Sequence, residues 1–169
     1  MHFAKTLLLA LVLAMGAGAN ALASSQTSNS FTIDDLRALA EKGDPKAQFR
    51  MALAYQEGRG VSPNMAEAVR WYRLAAAKGH AASQNNLGLI LGEGIGIRRD
   101  PVEAVRLIKL SIENGGYGGE SETTLGWWYQ TGKMMPALRK DLEMAEHWNE
   151  KGAEKGNPNA SSNLALMYF

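Results

Sequence analysis

The side chains able to do chemistry are few in this sequence and poorly placed for it. His80 and His147 stand far apart and in no metal-ligand spacing; His80 follows a glycine and His147 neighbours Trp148, so both read as structural or solvated. Serine is frequent, yet no Gly-x-Ser-x-Gly elbow is present to make one a nucleophile. Gly92-Glu93-Gly94-Ile95-Gly96 superficially suggests a phosphate loop, but no Gly-Lys-Ser/Thr follows and no strand precedes it. Glu120 and Glu122 have no evident carboxylate partner in the sequence, and the lone triplet Asn159-Ala160-Ser161 fits an N-glycosylation acceptor no better than chance allows. Cysteine is absent, which excludes disulfides, thiolate metal sites, cysteine nucleophiles and lipid attachment through an N-terminal cysteine. The expectation is a chain without catalytic residues, metal or cofactor, whose work is done by a surface.

The composition agrees with that expectation. The chain has 169 residues, 46% of them apolar, enough for one folded domain with a core. Its 18 basic and 17 acidic residues give a formal charge of +1, which offers no electrostatic case for nucleic acid or an anionic membrane. The first 23 residues read as a secretory signal: a polar start with His2 and Lys5, the apolar run Leu7 to Met15, then small residues ending in Ala21-Leu22-Ala23. That run is shorter than the roughly 20 apolar residues a membrane span needs. Cleavage after Ala23 removes Lys5 and no acidic residue, leaving 17 basic against 17 acidic groups. Residues 24–31 then form a polar leader, and no later stretch is apolar enough to span a membrane. The expected destination is outside the cytoplasm, the periplasm first and the medium second.

The elements that build the surface announce themselves by repetition. Gly43, Gly79 and Gly115 lie 36 residues apart, and a step of 41 leads to Gly156. Ala40-Glu41-Lys42-Gly43, Ala76-Ala77-Lys78-Gly79 and Ala153-Glu154-Lys155-Gly156 end alike. Gly58-Arg59-Gly60-Val61 returns as Gly94-Ile95-Gly96-Ile97, Ala68 as Ala104, and Trp71-Tyr72 as Leu107-Ile108. A third copy starts at Leu125-Gly126-Trp127-Trp128-Tyr129 and a fourth at Asn163-Leu164-Ala165. A period in this range signals stacked supersecondary units.

Each unit reads as two helices, with apolar residues at steps of three and four, as in Ala47, Met51, Ala54, Tyr55. Asp44-Pro45, Asp100-Pro101 and Asn157-Pro158 pair a capping side chain with a proline at the first helical position. Gly43, Gly79 and Gly156 should close helices in the left-handed conformation. Helices of about 12–15 residues are marginal alone in water, so the pairs must stack. Small residues at one register, Ala52, Gly88, Gly126 and Ala165, mark close helix contacts. Trp71, Tyr72, Tyr55, Tyr129, Trp148 and Tyr168 occupy packing positions.

This pattern resembles the Sel1-like repeat, a relative of the tetratricopeptide repeat, whose unit looks like A-x-x-x-L-G-x-x-Y-x-x-G-x-G-V followed by K-A-x-x-W-Y-x-x-A-A-x-x-G. The match is close in Ala47 to Gly79 and good in Ser83 to Gly115 and Ser121 to Gly156. The resemblance implies an all-α fold, a right-handed solenoid of antiparallel helix pairs over residues 32–169, with repeats at about 47–80, 83–116 and 121–157 and a partial repeat at 159–169. The sequence departs from the pattern at Leu107-Ile108, at the turn Gly115-Gly116-Tyr117-Gly118-Gly119, and at Gly132-Lys133-Met134-Met135-Pro136, where three extra residues precede Asp141.

The resemblance implies a protein-interaction module that binds a protein partner through a concave face. Candidate groove residues are Gln48, Arg50, Asn85, Asn86, Glu122, Thr123 and Trp127, joined by Met134 and Met135 in the inserted loop. Relatives exported by bacteria serve in envelope assembly, host contact or toxin immunity, so a periplasmic immunity protein is the alternative. Cysteine-rich relatives linked to β-lactam binding or hydrolysis form a third reading, weakened because their paired cysteines are missing here. The apolar end Leu164 to Phe169 lacks a polar cap, which suggests self-association or partner docking at that edge.

Overall fold

A computed structural model describes residues 32–168; the expected signal (1–23) and the polar leader (24–31) lie outside the described residues. Eight helices and no strand occur among the described residues: α1 (Ile33–Glu41), α2 (Pro45–Glu57), α3 (Met65–Ala77), α4 (Ala81–Glu93), α5 (Pro101–Glu113), α6 (Glu120–Thr131), α7 (Leu142–Glu154) and α8 (Pro158–Met167).

Local chemistry fixes where they start. The side chains of Asp44, Asn64, Asp100 and Asp141 accept hydrogen bonds from the backbone N–H three residues on, at 2.6, 3.2, 3.0 and 3.0 Å. Each satisfies one of the donors that the first helical turn leaves without a partner. Thr32 and Asp35 form a reciprocal capping box on α1. His80 holds the place of Asp44 one unit later, its Nδ1 accepting from the Ser83 N–H at 3.3 Å. The helix-closing glycines adopt the expected left-handed backbone, with φ of +94° at Gly43, +78° at Gly79 and +83° at Gly156.

Packing follows the 36-residue register. α2 pairs with α3, α4 with α5 and α6 with α7; α3 leans on α4, α5 on α6 and α7 on α8, while α1 packs on α2 as a leading half-unit. The result is an all-α stack of hairpins with one core running from Leu36 to Leu138. Three of the small residues do the expected job: Ala52 is fully buried, a Cβ on Gly88 would lie 3.0 Å from Ile108 Cδ1, and one on Gly126 2.8 Å from Asn149 Cγ. A larger side chain at either glycine would separate the hairpin. Ala165 does not, being exposed because no second helix follows α8 among the described residues.

Two further expectations about packing need correction. Tyr168, assigned to the core, is 69% exposed, because no second helix follows α8 among the described residues to cover the end of that helix. Met134, assigned to a surface loop, is fully buried. The insertion folds back on the stack, where Met134 Sδ and Trp128 Cζ2 both crowd the site a Cβ on Gly92 would take, at 3.3 and 3.0 Å.

Candidate partner-binding surface

The first helices of the three full units, α2, α4 and α6, carry the candidate residues, apart from Met134 and Met135 in the insertion after α6. Most of the polar candidates turn inward. Gln48 is buried and donates from Nε2 to the Ala40 carbonyl at 3.0 Å. Asn85 is buried, and its Oδ1 accepts from Ser121 Oγ at 3.1 Å; Ser121 in turn meets Ser111 Oγ at 2.7 Å, and Ser111 donates to the Ala81 carbonyl. Glu122 is 1% exposed with Oε1 accepting from Lys155 Nζ at 2.5 Å, and Thr123 donates to the Gly119 carbonyl at 2.7 Å. With Met134, these side chains are corrections to the expected groove. A buried polar group is stable only when hydrogen-bonded; the leading half-unit supplies the partner of Gln48 and the next unit that of Asn85, which ties neighbours in register, whereas Glu122 and Thr123 are satisfied within the third unit and its entry turn.

Four candidates reach the surface in part or in full. Arg50 and Met135 are exposed, Asn86 and Trp127 half-buried. Asn86 Nδ2 donates to the Tyr72 hydroxyl at 3.2 Å, and that hydroxyl donates to Gln56 at 2.8 Å. Burial pushes the Tyr72 hydroxyl up from its ordinary value, so it stays a protonated donor. Lys133 Nζ sits 4.7 Å from the Trp127 ring centroid and 2.5 Å from Glu93 Oε2. That cluster joins the second and third units at the surface. Arg99 adds a bond from Nε to the Gly92 carbonyl at 2.7 Å and another to the Lys133 carbonyl.

The sequence reading missed the residues that give this face its apolar character. Trp127 follows Gly126, and the residues that follow the other small positions are Leu53, Leu89 and Leu166. Since position 88 or 126 points at the partner helix of the hairpin, the next residue lies about 100° round the helix. Leu53, Leu89 and Trp127 are half-buried, and Leu166 is 72% exposed. One apolar side chain per unit thus forms a ladder, with Arg50, Asn86, Thr124 and Asn163 as the polar rung three residues earlier. The signal lies in the repeat register, in the residue that follows each small position.

A second feature lies at the leading end of the face. A cavity of about 400 Å³ is lined by Leu36, Leu39, Ala47 and Phe49, with Lys46, Arg50 and His80 also on its wall. Burial, then Lys46, lowers the His80 imidazole from its ordinary value, with Asp44 opposing. No group of three or more His, Cys, Asp or Glu side chains able to hold a metal occurs among the described residues, and no described helix is long and apolar enough to cross a membrane.

Comparison with known proteins gives a consistent answer. Residues 45–80, 81–116 and 120–157 each match the Sel1 repeat. A Sel1 repeat protein from Oxalobacter formigenes is 34% identical, with a TM-score of 0.72 over 80% of this chain and 54% of its own. A protective antigen present in uropathogenic Escherichia coli strains, displaying an SLR fold, is also 34% identical, with a TM-score of 0.75 over 85% of this chain and 30% of its own. This chain therefore spans about half the length of the first and under a third of the second. Helicobacter pylori cysteine-rich protein B is 16% identical with a TM-score of 0.59 over 80% of this chain and 98% of its own, a likeness of fold alone. No curated protein matches the chain.

Proposed function

We propose, because this chain belongs to the Sel1 repeat family, that it is an exported interaction module which grips a polypeptide along the faces of its first helices. Members of the family generally mediate protein interactions. The observation that carries the reading is the ladder of Leu53, Leu89, Trp127 and Leu166, one partly exposed apolar side chain per unit at a constant register. An apolar row bordered by amide and hydroxyl groups suits an extended polypeptide. Apolar side chains of the partner bury on the ladder, and its backbone meets Asn86, Thr124 and Asn163. Aromatic anchors such as Trp127 concentrate binding energy at interfaces.

Export rests on the N-terminal pattern of residues 1–23, and the likeness to a protective antigen of a pathogen fits a protein met outside the cytoplasm. The assignment is non-catalytic, since the Nδ1 of His80, 3.0 Å from Ser83 Oγ, is used to cap α4 through the Ser83 N–H, Glu122 is held by Lys155, and Ser111 and Ser121 bond to each other.

The test pairs capture with variants. The processed chain, immobilised and exposed to an envelope fraction, should retain a specific polypeptide, and its N-terminus should read Ser24. Leu89→Glu and Trp127→Ala should abolish retention while thermal unfolding stays cooperative. Retention unchanged by both variants would remove the ladder from the interface.

A further inference from the structure

The three units place different residues at one position of their second helices. The first unit has Trp71 and the third has Trp148, while the second has Leu107. Each indole is covered by the residue just before it. The Arg70 guanidinium lies 4.2 Å from the Trp71 ring centroid, and His147 meets Trp148 edge-on with centroids 5.2 Å apart. The second unit keeps the cover without the ring. Arg106 stands where Arg70 does, and Glu103 holds it through two bonds of 2.7 and 2.6 Å, as Glu67 holds Arg70 at 3.0 Å.

A cavity of about 470 Å³ opens at this position, between α3, α4 and α5. Leu87, Leu91, Leu107 and Leu110 floor it, and its wall is polar, with Arg73 and Arg106 beside the carboxylates of Asp100 and Glu103 and the amides of Gln84 and Asn114. Arg73 has no ion-pair partner among the described residues. The volume falls in the range of sites that hold small organic groups, about 300–1,000 Å³. A leucine floor with guanidinium groups on a mixed polar wall suits an electron-rich ring, whose face attracts a cation, as the Glu67-paired Arg70 already does over Trp71.

We propose that this cavity takes an aromatic side chain, tryptophan above all, from a partner polypeptide, supplying in trans the indole that the first and third units supply in cis. The proposal rests on the interaction-module reading for the source of the ring, but the cavity lies between α3, α4 and α5 and is lined by none of the ladder residues. An aliphatic anchor is the rival occupant, and the register argues against it, because the two filled copies of the position both hold an indole.

The test titrates the full chain with N-acetyl-tryptophanamide and, separately, with N-acetyl-leucinamide, read by methyl and guanidinium NMR. Expected are saturable shifts at Leu107, Leu110 and Arg106 with the tryptophan probe, and markedly weaker binding of the leucine probe. Arg106→Ala should weaken the tryptophan probe about two- to five-fold, the change that corresponds to an exposed cation–π contact. Leu107→Trp should fill the cavity in cis, raise Tm and abolish the shifts. Equal binding of the two probes, absence of saturable shifts, or an undiminished titration of a folded Leu107→Trp chain would each overturn the proposal. Should that variant fail to fold, the probe comparison and Arg106→Ala still decide. Leu89→Glu and Trp127→Ala leave the cavity intact, so a normal titration alongside lost partner retention, or the reverse, tells the two readings apart.

Discussion

In the first two units, Gln48 and Gln84 hand an amide proton to the last-turn carbonyls of Ala40 and Ala76, both at 3.0 Å. The third unit puts Glu122 at that place, where an ionised carboxylate has no proton to give. Its Oε1 takes a proton donor from Lys155 instead, and its Oε2 is buried without a partner. The entry to that unit is rebuilt to match. Gly115, Gly116, Gly118 and Gly119 all have positive φ, and a Cβ on Gly116 would lie 3.3 Å from Glu122 Oε1. The exit is rebuilt as well, with Met134 and Leu138 buried from an insertion that the other units lack. The contrast teaches that the stack tolerates insertions where a new contact replaces the repeated one. A hydrogen bond gives way to an ion pair, and an irregular loop brings its own apolar plug.

The largest expected effect tests the plug. Met134→Ala should lower stability by about 2–5 kcal/mol in denaturant unfolding, the range for deleting a buried large apolar side chain. Met135→Ala, at a 52% exposed neighbour, should stay within about 0.5 kcal/mol. Similar losses at both positions would mean that the insertion does not seal the third unit.

A smaller effect tests the exchanged link. Lys155→Met leaves the Glu122 carboxylate buried and unpaired, which should cost about 1–3 kcal/mol. Adding Glu122→Gln converts the third unit to the pattern of the first two, so the double variant should recover most of that loss. A double-mutant cycle measures the recovery. Strictly additive losses would show that Glu122 and Lys155 do not act as a pair.

This polar layer is also where the sequence was hardest to read. The hairpins were legible because their signals are local: a capping side chain three residues before the N–H it serves, a glycine where φ must be positive, an apolar period of three to four. The direction of the polar residues was not. Gln48, Asn85, Glu122 and Thr123 look like solvent-facing groups in a helical pattern, yet all four are buried. The partner of Asn85 lies 36 residues away and that of Glu122 33 away. Satisfaction by a helix so distant in sequence leaves no local mark. Leu53 and Leu89 were hidden by the opposite logic, since a leucine in an apolar run reads as core whichever way it points.

At the closing glycines the contrast between units should vanish. Gly79 and Gly156 have similar backbones, φ +78° and +83°; a Cβ would make only ordinary contact at the first and none within 4 Å at the second. Alanine at either should therefore cost about the same, about 1–2 kcal/mol for forcing a side chain into the left-handed region. A much larger loss at one of them would reveal a clash that the backbone alone does not explain.

The smallest effect concerns the caps. Asp44 and Asn157 cap their first helices through side-chain oxygens, whereas His80 caps α4 only while its Nδ1 is unprotonated. Burial, reinforced by Lys46 and opposed by Asp44, holds the His80 imidazole below its ordinary value. The folded chain therefore binds this proton less readily than the unfolded chain. The stability tied to it is complete above the ordinary histidine pKa of about 6.5 and is lost as pH falls through the lower folded value. His80→Asn retains a cap of the Asn157 kind and removes the titration. Thermal unfolding of both chains between pH 7 and pH 5 should show a shallower loss of Tm in the variant, and parallel curves would assign the acid sensitivity to other groups.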